Sequence, residues 1–205
     1  MGHFSENLEQ HVDNLSDIMD NIPSKGITIL TGSNGSGKSL IRNQFIFRLA
    51  QRAGVEAKNF KGKLGSVSMQ KRTESQPEWG AMSSVMHDTP WLPTSQNTLD
   101  LIDRVIETSF EYIIIDEPEI GMGEEIVMAL VDYLNDKFQK HSDKGYMIIT
   151  HNRYIVEHLN SDYFFNLDGI KTKEEWLNRP LVKANLETLK ENKLYFYIRD
   201  KQKEK

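Results

Sequence analysis

The stretch that decides the fold runs from Gly26 to Ser39 and reads GITILT followed by GSNGSGKS. Its first part is apolar, rich in β-branched residues and bounded by turn formers, which predicts a buried strand. Its second part fits the pattern G-x-x-x-x-G-K-[ST]. Apolar residues then recur at steps of three and four as far as Ala53, which predicts a helix of about four turns that stops at Gly54. The order is therefore strand, glycine-rich loop, helix.

A glycine-rich loop in this setting is suited to bind a polyphosphate. Its glycines allow successive backbone N–H groups to point inward, and the following helix presents its positive end. Lys38 adds a full charge at the β- and γ-phosphates, and Ser39 is placed to hold Mg²⁺. The alternative to a nucleotide-binding loop is a glycine-rich turn that binds no ligand, but such a turn does not need a Lys-Ser pair at the start of the helix. The predicted nucleotide-binding residues are Gly32, Ser33, Asn34, Gly35, Ser36, Gly37, Lys38 and Ser39.

The rest of the chain repeats the alternation of strands and helices. Apolar runs at 112–115 and 146–150 and shorter candidate strands at 64–69 and 163–165 are separated by segments with helical periodicity, one of them starting near Thr98. Strands without polar alternation are buried on both faces, which favours a parallel sheet covered by helices. The predicted fold class is α/β, a three-layer P-loop NTPase fold with a mostly parallel central sheet and a small inserted lobe.

Length and composition set the domain organisation and exclude some classes of function. A chain of 205 residues with 38% hydrophobic and 27% charged residues predicts one globular domain over 1–205. Within it we expect an N-terminal helix in 1–22, a reduced inserted lobe at 71–97 and a C-terminal extension at 171–205. No apolar run is long enough for a membrane span and there are no cysteines, so a cytoplasmic protein without disulfides or membrane contact is expected.

Although the net charge of the chain is −5, its C-terminal segment is basic. The extension at 171–205 carries ten Lys or Arg against six Asp or Glu. Such a segment can contact nucleic acid or a partner protein, although most such segments are solvated ends.

Polar residues follow three of the predicted strands and are candidates for the chemistry. Asp116 and Glu117 end the run at 112–115, where one carboxylate can organise Mg²⁺ and the next can polarise a water molecule. His151 ends the run at 146–150 and would lie at the same edge of a parallel sheet, where it can sense a γ-phosphate. Gln70 follows the strand at 64–69 and can contact Mg²⁺ or its water. The alternatives are a solvated strand end, a core or helix-capping histidine and a surface glutamine.

These motifs together resemble the ATP-binding-cassette (ABC) ATPase superfamily, in the soluble branch that includes SMC-type, MutS-type and OLD-like ATPases. The resemblance covers roughly 26–168 and rests on a Walker A loop at 32–39, a Q-loop glutamine, a Walker B strand at 112–117 and a switch histidine, in that order. It implies that Glu117 is the general base, Asp116 the acid of the Mg²⁺ shell and His151 the γ-phosphate switch. Catalytic residues are then Glu117, His151 and Gln70, and metal residues Ser39, Gln70 and Asp116.

The sequence departs from the family pattern at several points. No Leu-Ser-Gly-Gly-Gln-like signature precedes the helix before Walker B; Ser95 or Asn97 can substitute for it, or Asn97 or Thr98 can simply cap that helix. The segment at 119–123 lacks the usual D-loop aspartate, and Glu119 can share work with Glu117, although the strand register favours Glu117. Phe4 is a distant candidate for stacking on adenine.

The leading prediction is a small ATPase that binds Mg-ATP, hydrolyses it and uses ATP-dependent closure of a homodimer, or of a pair with a related subunit, to drive an effector. The effector is another protein or a nucleic acid. A nucleotide-dependent switch or scaffold with little hydrolysis is the second interpretation, favoured by the missing signature and D-loop aspartate. A P-loop kinase is the third, and the shortage of arginines in 70–97 argues against it.

Overall fold

The computed structural model describes residues 15–54, 56, 63–68 and 94–180. In chain order, the elements with both ends described are β1 (Gly26–Thr31), α2 (Lys38–Arg52), β2 (Leu64–Ser68), α3 (Thr94–Ile106), β3 (Tyr112–Asp116), α4 (Glu124–Lys140), β4 (Gly145–Ile149), α5 (Arg153–His158), β5 (Tyr163–Asn166) and α6 (Lys173–Asn178). A helix called α1 precedes them, and its described part covers 15–21.

The described strands form one parallel sheet in the order β2-β3-β4-β1-β5. The strand that leads into the glycine-rich loop, β1, therefore lies between β4 and β5. Because every pairing is parallel, the residues that follow the strands collect at one edge of the sheet. The ends of β3, β4 and β5 therefore lie on that edge together with the loop.

Alternate residues of the strands enter two separate hydrophobic cores. Ile113 and Ile115 of β3 face a core shared with α3, α4, α5 and α6, whereas Ile114 of the same strand faces a core shared with α1 and α2. All three isoleucines are fully buried. Two covered faces explain why β3 shows no polar alternation, and the predicted three-layer α/β fold is confirmed.

Helix α1 is held on the side of the glycine-rich loop by arginines of α2. Arg52 donates to three main-chain carbonyl oxygens of the turn that ends α1, those of Met19, Asp20 and Ile22. Arg48 donates to Ser16 Oγ at 2.9 Å. The last carbonyl groups of a helix have no partner within the helix, so these guanidinium contacts act as a C-terminal cap.

Helix α3 begins earlier than predicted. The alternative that Asn97 or Thr98 caps this helix is wrong, because α3 starts at Thr94 and both residues lie within it. Apolar periodicity marks a helix only where side chains are buried, and among residues 95–98 of α3 the first buried one is Thr98. The first turn is polar and therefore carries no periodic signal.

Most of the predicted lobe at 71–97, residues 71–93, lies outside the described residues, as do 181–205 of the predicted extension. In the described part of the chain no helix is long and apolar enough to cross a membrane.

Candidate functional site

The glycine-rich loop joins β1 to α2 through backbone conformations that glycine permits. Gly37 is the N-cap of α2 and has φ 105°. A Cβ atom there would also come within 3.0 Å of Leu15 Cδ1, so α1 packs directly on the loop. The N-cap residue is a glycine, so it has no side chain that could cap this end of α2. A helix N-terminus without an N-cap side chain can offer its first N–H groups to an anion.

Lys38 lies inside the loop and bonds to the loop's own backbone. Its Nζ donates to the carbonyl oxygens of Gly32 at 2.9 Å and Ser33 at 3.0 Å. Burial lowers the pKa of Lys38, while the negative charges of Glu117, Asp168 and Asp116 act in the opposite direction. The ammonium group is thus placed among three carboxylates at the edge of the sheet.

Asp116 ends β3 and forms a buried ion pair that the sequence motifs do not predict. Arg42 Nη1 lies 2.5 Å from Asp116 Oδ2, and both side chains are about nine-tenths buried. Ser68 Oγ at the end of β2 donates to the same oxygen at 3.3 Å. Burial raises the pKa of Asp116, and the adjacent Arg42 charge opposes that rise. Arg42 lies one helical turn after Lys38, so the two side chains share a face of α2. This spacing is the only feature of the sequence that could have indicated a place for Arg42 near the site.

Glu117 follows β3 in a left-handed backbone conformation, with φ 53°. Its N–H donates to Ile149 O of β4 at 2.8 Å, which holds the strained residue in place. For a residue other than glycine such a conformation costs about 1–3 kcal/mol and often marks a functional position. The turn directs the chain from the end of β3 to the end of β4.

The carboxylate of Glu117 and the ring of His151 meet at this edge. Glu117 Oε1 lies 3.5 Å from His151 Nε2, and the Glu117 side chain is 12% exposed. Burial lowers the pKa of His151 below its ordinary value of 6.5, and the charge of Lys38 adds to this effect. The ring is therefore neutral near pH 7. A neutral imidazole beside a carboxylate can donate a hydrogen bond to it.

Glu119 contacts the Thr150 hydroxyl and the His151 main chain after β4 rather than the His151 ring. Its Oε1 accepts a hydrogen bond from Thr150 Oγ1 at 2.5 Å and a longer one from the main-chain N–H of His151 at 3.3 Å. Burial raises the pKa of the Glu119 carboxyl group. Glu119 thus fixes the loop that carries His151, whereas the ring itself is beside Glu117.

Asp168 is a second residue at this edge that the sequence motifs do not predict. It lies just after β5, and its two carboxylate oxygens accept from Ser33 N and Ser33 Oγ, each at 2.7 Å. The sequence shows only that Asp168 follows a predicted strand, and side chains that follow the strands of a parallel sheet are candidates for its ligand-binding edge. The strand order, which the sequence does not predict, is what places β5 next to β1.

Other predicted residues lie elsewhere. Ser95 and Asn97 are in the first turn of α3. Gln70 and Phe4 lie outside the described residues.

Comparison with known proteins gave matches among solved structures only. No family model matches the chain, and no curated protein does. CbiO1 from Clostridium perfringens, described as part of the ABC transporter complex CbiONQ, matches with a TM-score of 0.51 and 21% identity over 71% of this chain and 74% of that one. The ATP-binding cassette MJ0796, in a dimeric post-hydrolysis state bound to ADP and Pi, matches with a TM-score of 0.50 and 13% identity over 71% and 82%. The chain therefore has the fold of ABC-type ATPase cassettes, and the predicted SMC, MutS or OLD-like branch stays a prediction.

Proposed function

We propose that this chain binds Mg-ATP on the loop at 32–39, hydrolyses it and closes into a dimer when ATP is bound. The observation that carries the proposal is the 3.5 Å contact between Glu117 and His151 at the sheet edge that also holds Lys38. A phosphate loop alone serves kinases as well as hydrolases. A carboxylate paired with a neutral imidazole beside the loop supplies a group that can activate water, which a kinase has to exclude.

The loop supports a triphosphate through three features. Lys38 provides a positive charge within the loop, the glycines leave the backbone close to the ligand, and α2 presents its N-terminal N–H groups. The Lys38 ammonium group already donates to two oxygen atoms, the Gly32 and Ser33 carbonyls. An ammonium group has three donors, so a phosphate oxygen can accept the third while both carbonyl contacts are kept.

Ser39 and Asp116 fit the role of Mg²⁺ residues. Mg²⁺ prefers oxygen ligands and is usually bound through one or two carboxylates together with phosphates and water. When bound, Mg²⁺ neutralises charge on the transferred phosphate. The ion pair with Arg42 fixes the Asp116 carboxylate at the edge of the sheet.

In the proposed reaction Glu117 accepts a proton from the attacking water, and His151 lies beside that carboxylate and faces the γ-phosphate. General-base catalysis of this type contributes about 10²–10⁴-fold to a rate. The strained backbone of Glu117, tied to β4 by its own N–H, keeps the base at a fixed position relative to His151. Glu119 holds the same loop from its other side through Thr150 and the His151 main chain.

Dimer closure is supported by two observations. MJ0796 is described as dimeric in its ADP and Pi complex and shares this fold. In this chain Ile120, three residues after Glu117 in the turn that leaves β3, is an exposed large apolar residue. An apolar side chain at the rim of the site favours contact with another protein surface.

A switch or scaffold with little hydrolysis is the second candidate. It is favoured by the segment at 119–123, which has no aspartate where the family has one, and by the engagement of Glu119 with Thr150. This candidate shares the ATP site and differs only in the fate of the bound ATP.

The mass of the protein in solution separates the two candidates. With Mg-ATP, we expect Glu117→Gln to form a long-lived dimer that retains ATP, because closure no longer leads to hydrolysis, while the native protein returns to monomers as ATP is consumed. A switch without hydrolysis predicts the same dimer lifetime for both proteins. Lys38→Ala is the control and should show neither bound ATP nor dimer.

The effector is proposed to be another protein or a nucleic acid. CbiO1 is described as part of a transporter complex, which makes a partner protein one candidate. The basic residues at 171–205 make DNA or RNA another. ATP turnover measured with and without added DNA distinguishes a nucleic-acid effector by stimulation.

A further inference from the structure

Asp168 binds the start of the phosphate loop through both oxygens of its carboxylate. Oδ2 accepts from the main-chain N–H of Ser33 and Oδ1 accepts from the Ser33 hydroxyl, each at 2.7 Å. Ser33 is the second residue of the loop and directly follows Gly32. One side chain from the turn after β5 therefore fixes both the backbone and the side chain of a loop residue. Hydrogen bonds to an ionised acceptor are about twice as strong as those between neutral groups.

The position of Asp168 is itself fixed by Asn166, a buried residue at the end of β5. Asn166 Oδ1 accepts from the N–H groups of Asp168 at 2.9 Å and Ile170 at 3.0 Å, and Asn166 Nδ2 donates to Thr31 Oγ1 at 2.9 Å. Thr31 and Ser33, on the two sides of Gly32, are thus both tied to the turn after β5. This network holds Asp168 in place before any ligand binds.

The same contact sets the direction of one peptide group. The Gly32 carbonyl and the Ser33 N–H belong to a single planar peptide unit. Asp168 holds the N–H of this unit, and Lys38 Nζ donates to its carbonyl oxygen at 2.9 Å. Rotating this peptide would break both bonds at once. Asp168 therefore acts on Lys38 through the peptide that lies between them.

We infer that Asp168 is a positioning residue for the phosphate loop, which fixes the peptide between Gly32 and Ser33 and thereby the place of Lys38 in the ATP site. This inference rests on the proposed function. A carboxylate near a polyphosphate repels it, so Asp168 favours binding only if the ordering of the loop outweighs that repulsion. Asp168 is exposed, and solvent screening reduces the repulsion. The balance predicts that removing Asp168 weakens ATP binding.

Asp162 offers a matched control for this residue. It precedes β5 whereas Asp168 lies after it, it is also exposed, and its Oδ2 accepts from the main-chain N–H of Ile27 at 2.8 Å. Both aspartates thus tie the β5 side of the sheet to the backbone around β1. Asp162 does so at the opposite end of β1, away from the loop. Comparing the two separates a general loss of stability from an effect on the site.

The test is the binding of a fluorescent ATP analogue with Mg²⁺ by the full chain, together with kcat, KM and thermal melting without nucleotide. We expect Asp168→Ala to raise Kd and KM by about tenfold, with a smaller change in kcat, because the loss of two charge-assisted hydrogen bonds is partly offset by the loss of the repulsion. Asp162→Ala should leave Kd within about twofold of the native value, since charges on distant exposed groups are screened. A Kd for Asp168→Ala equal to that of the native protein or of Asp162→Ala, or a lower one, overturns the inference.

Milder variants keep the test valid if Asp168→Ala does not fold. Ser33→Ala removes only the hydroxyl contact, and Asp168→Asn removes the charge and keeps one acceptor, so both should give intermediate values of Kd. Ser33→Ala added to Asp168→Ala should have no further effect, because both substitutions remove the same contact. Tighter binding by Asp168→Asn would mean that repulsion dominates and would overturn the inference.

Lys38→Ala in the same assay separates the role of Asp168 from the existence of the ATP site. If Lys38→Ala loses ATP and Asp168→Ala keeps it, only the role of Asp168 is wrong. If Lys38→Ala binds ATP as the native protein does, the proposed ATP site is wrong.

Discussion

Among single residues, the site depends on side chains that meet across different strands. Glu117 is held in a left-handed conformation by its bond to Ile149, and this brings its carboxylate to His151. Glu119 binds Thr150 and the N–H of His151 from the other side. The imidazole is thus set between two acidic residues, of which one contacts the ring and the other the backbone. Its protonation state decides which bonds the ring can make.

The depressed pKa of His151 predicts a specific pH dependence of stability. Between the lowered pKa of the folded protein and the ordinary value of 6.5, the unfolded chain binds more protons at this residue than the folded chain. Lowering the pH through that window therefore favours unfolding. We expect the free energy of unfolding in urea to fall less between about pH 7.5 and about pH 5.5 in His151→Gln than in the native protein.

His158→Gln, at a more exposed histidine, is the matched control for this measurement. The buried carboxyl groups of Asp116 and Glu119, whose pKa values are raised, act in the opposite direction but are common to all three proteins. An equal loss of stability on acidification in His151→Gln and the native protein would contradict the assignment of a neutral His151.

Among the helices, α1 and α2 behave as one unit under the phosphate loop. Arg52 satisfies three carbonyl oxygens at the end of α1, and Leu15 of α1 is buried against Gly37. Removing the guanidinium group leaves these acceptors without their charged donor. A hydrogen bond to a charged group contributes about 1.5–3 kcal/mol to stability. The total loss is smaller than the sum of three such bonds, because water can donate to the carbonyl oxygens once the guanidinium group is gone.

We therefore expect Arg52→Leu to lower the free energy of unfolding by about 2–3 kcal/mol, measured by urea denaturation. Lys140→Met is the control, because it breaks an exposed pair with Asp136 at 2.6 Å on α4. Such surface pairs contribute about 0–1 kcal/mol. Equal effects of the two substitutions would mean that the arginine contacts do not hold α1.

Sequence patterns predict the elements better than their ends. The limits of β1 follow from its apolar run and the glycines on either side, and the buried strand β3 follows from its continuous isoleucines. The predicted start of α3 is too late because its first turn, Thr94 to Asn97, has no apolar residue to reveal the period. A signal based on apolar periodicity cannot mark a turn that has no apolar residue.

Across the whole molecule, the sheet order explains what the sequence could not predict. Residues that follow strands of a parallel sheet share one edge, so the loop, Asp116, Glu117 and His151 are expected to lie on the same edge. Which of them are neighbours depends on the order β2-β3-β4-β1-β5. The contact of Asp168 with Ser33 arises only because β5 pairs with β1.

Whether Glu117 is a general base is decided by the rate of phosphate release at saturating Mg-ATP from the native protein and from Glu117→Gln. If Glu117 is the base, the native protein releases phosphate, and the substitution lowers kcat by about 10²-fold or more while the Kd for ATP stays the same. If the native protein releases no phosphate, or Glu117→Gln releases it at the native rate, Glu117 is not the base and the proposed hydrolysis at this site is wrong.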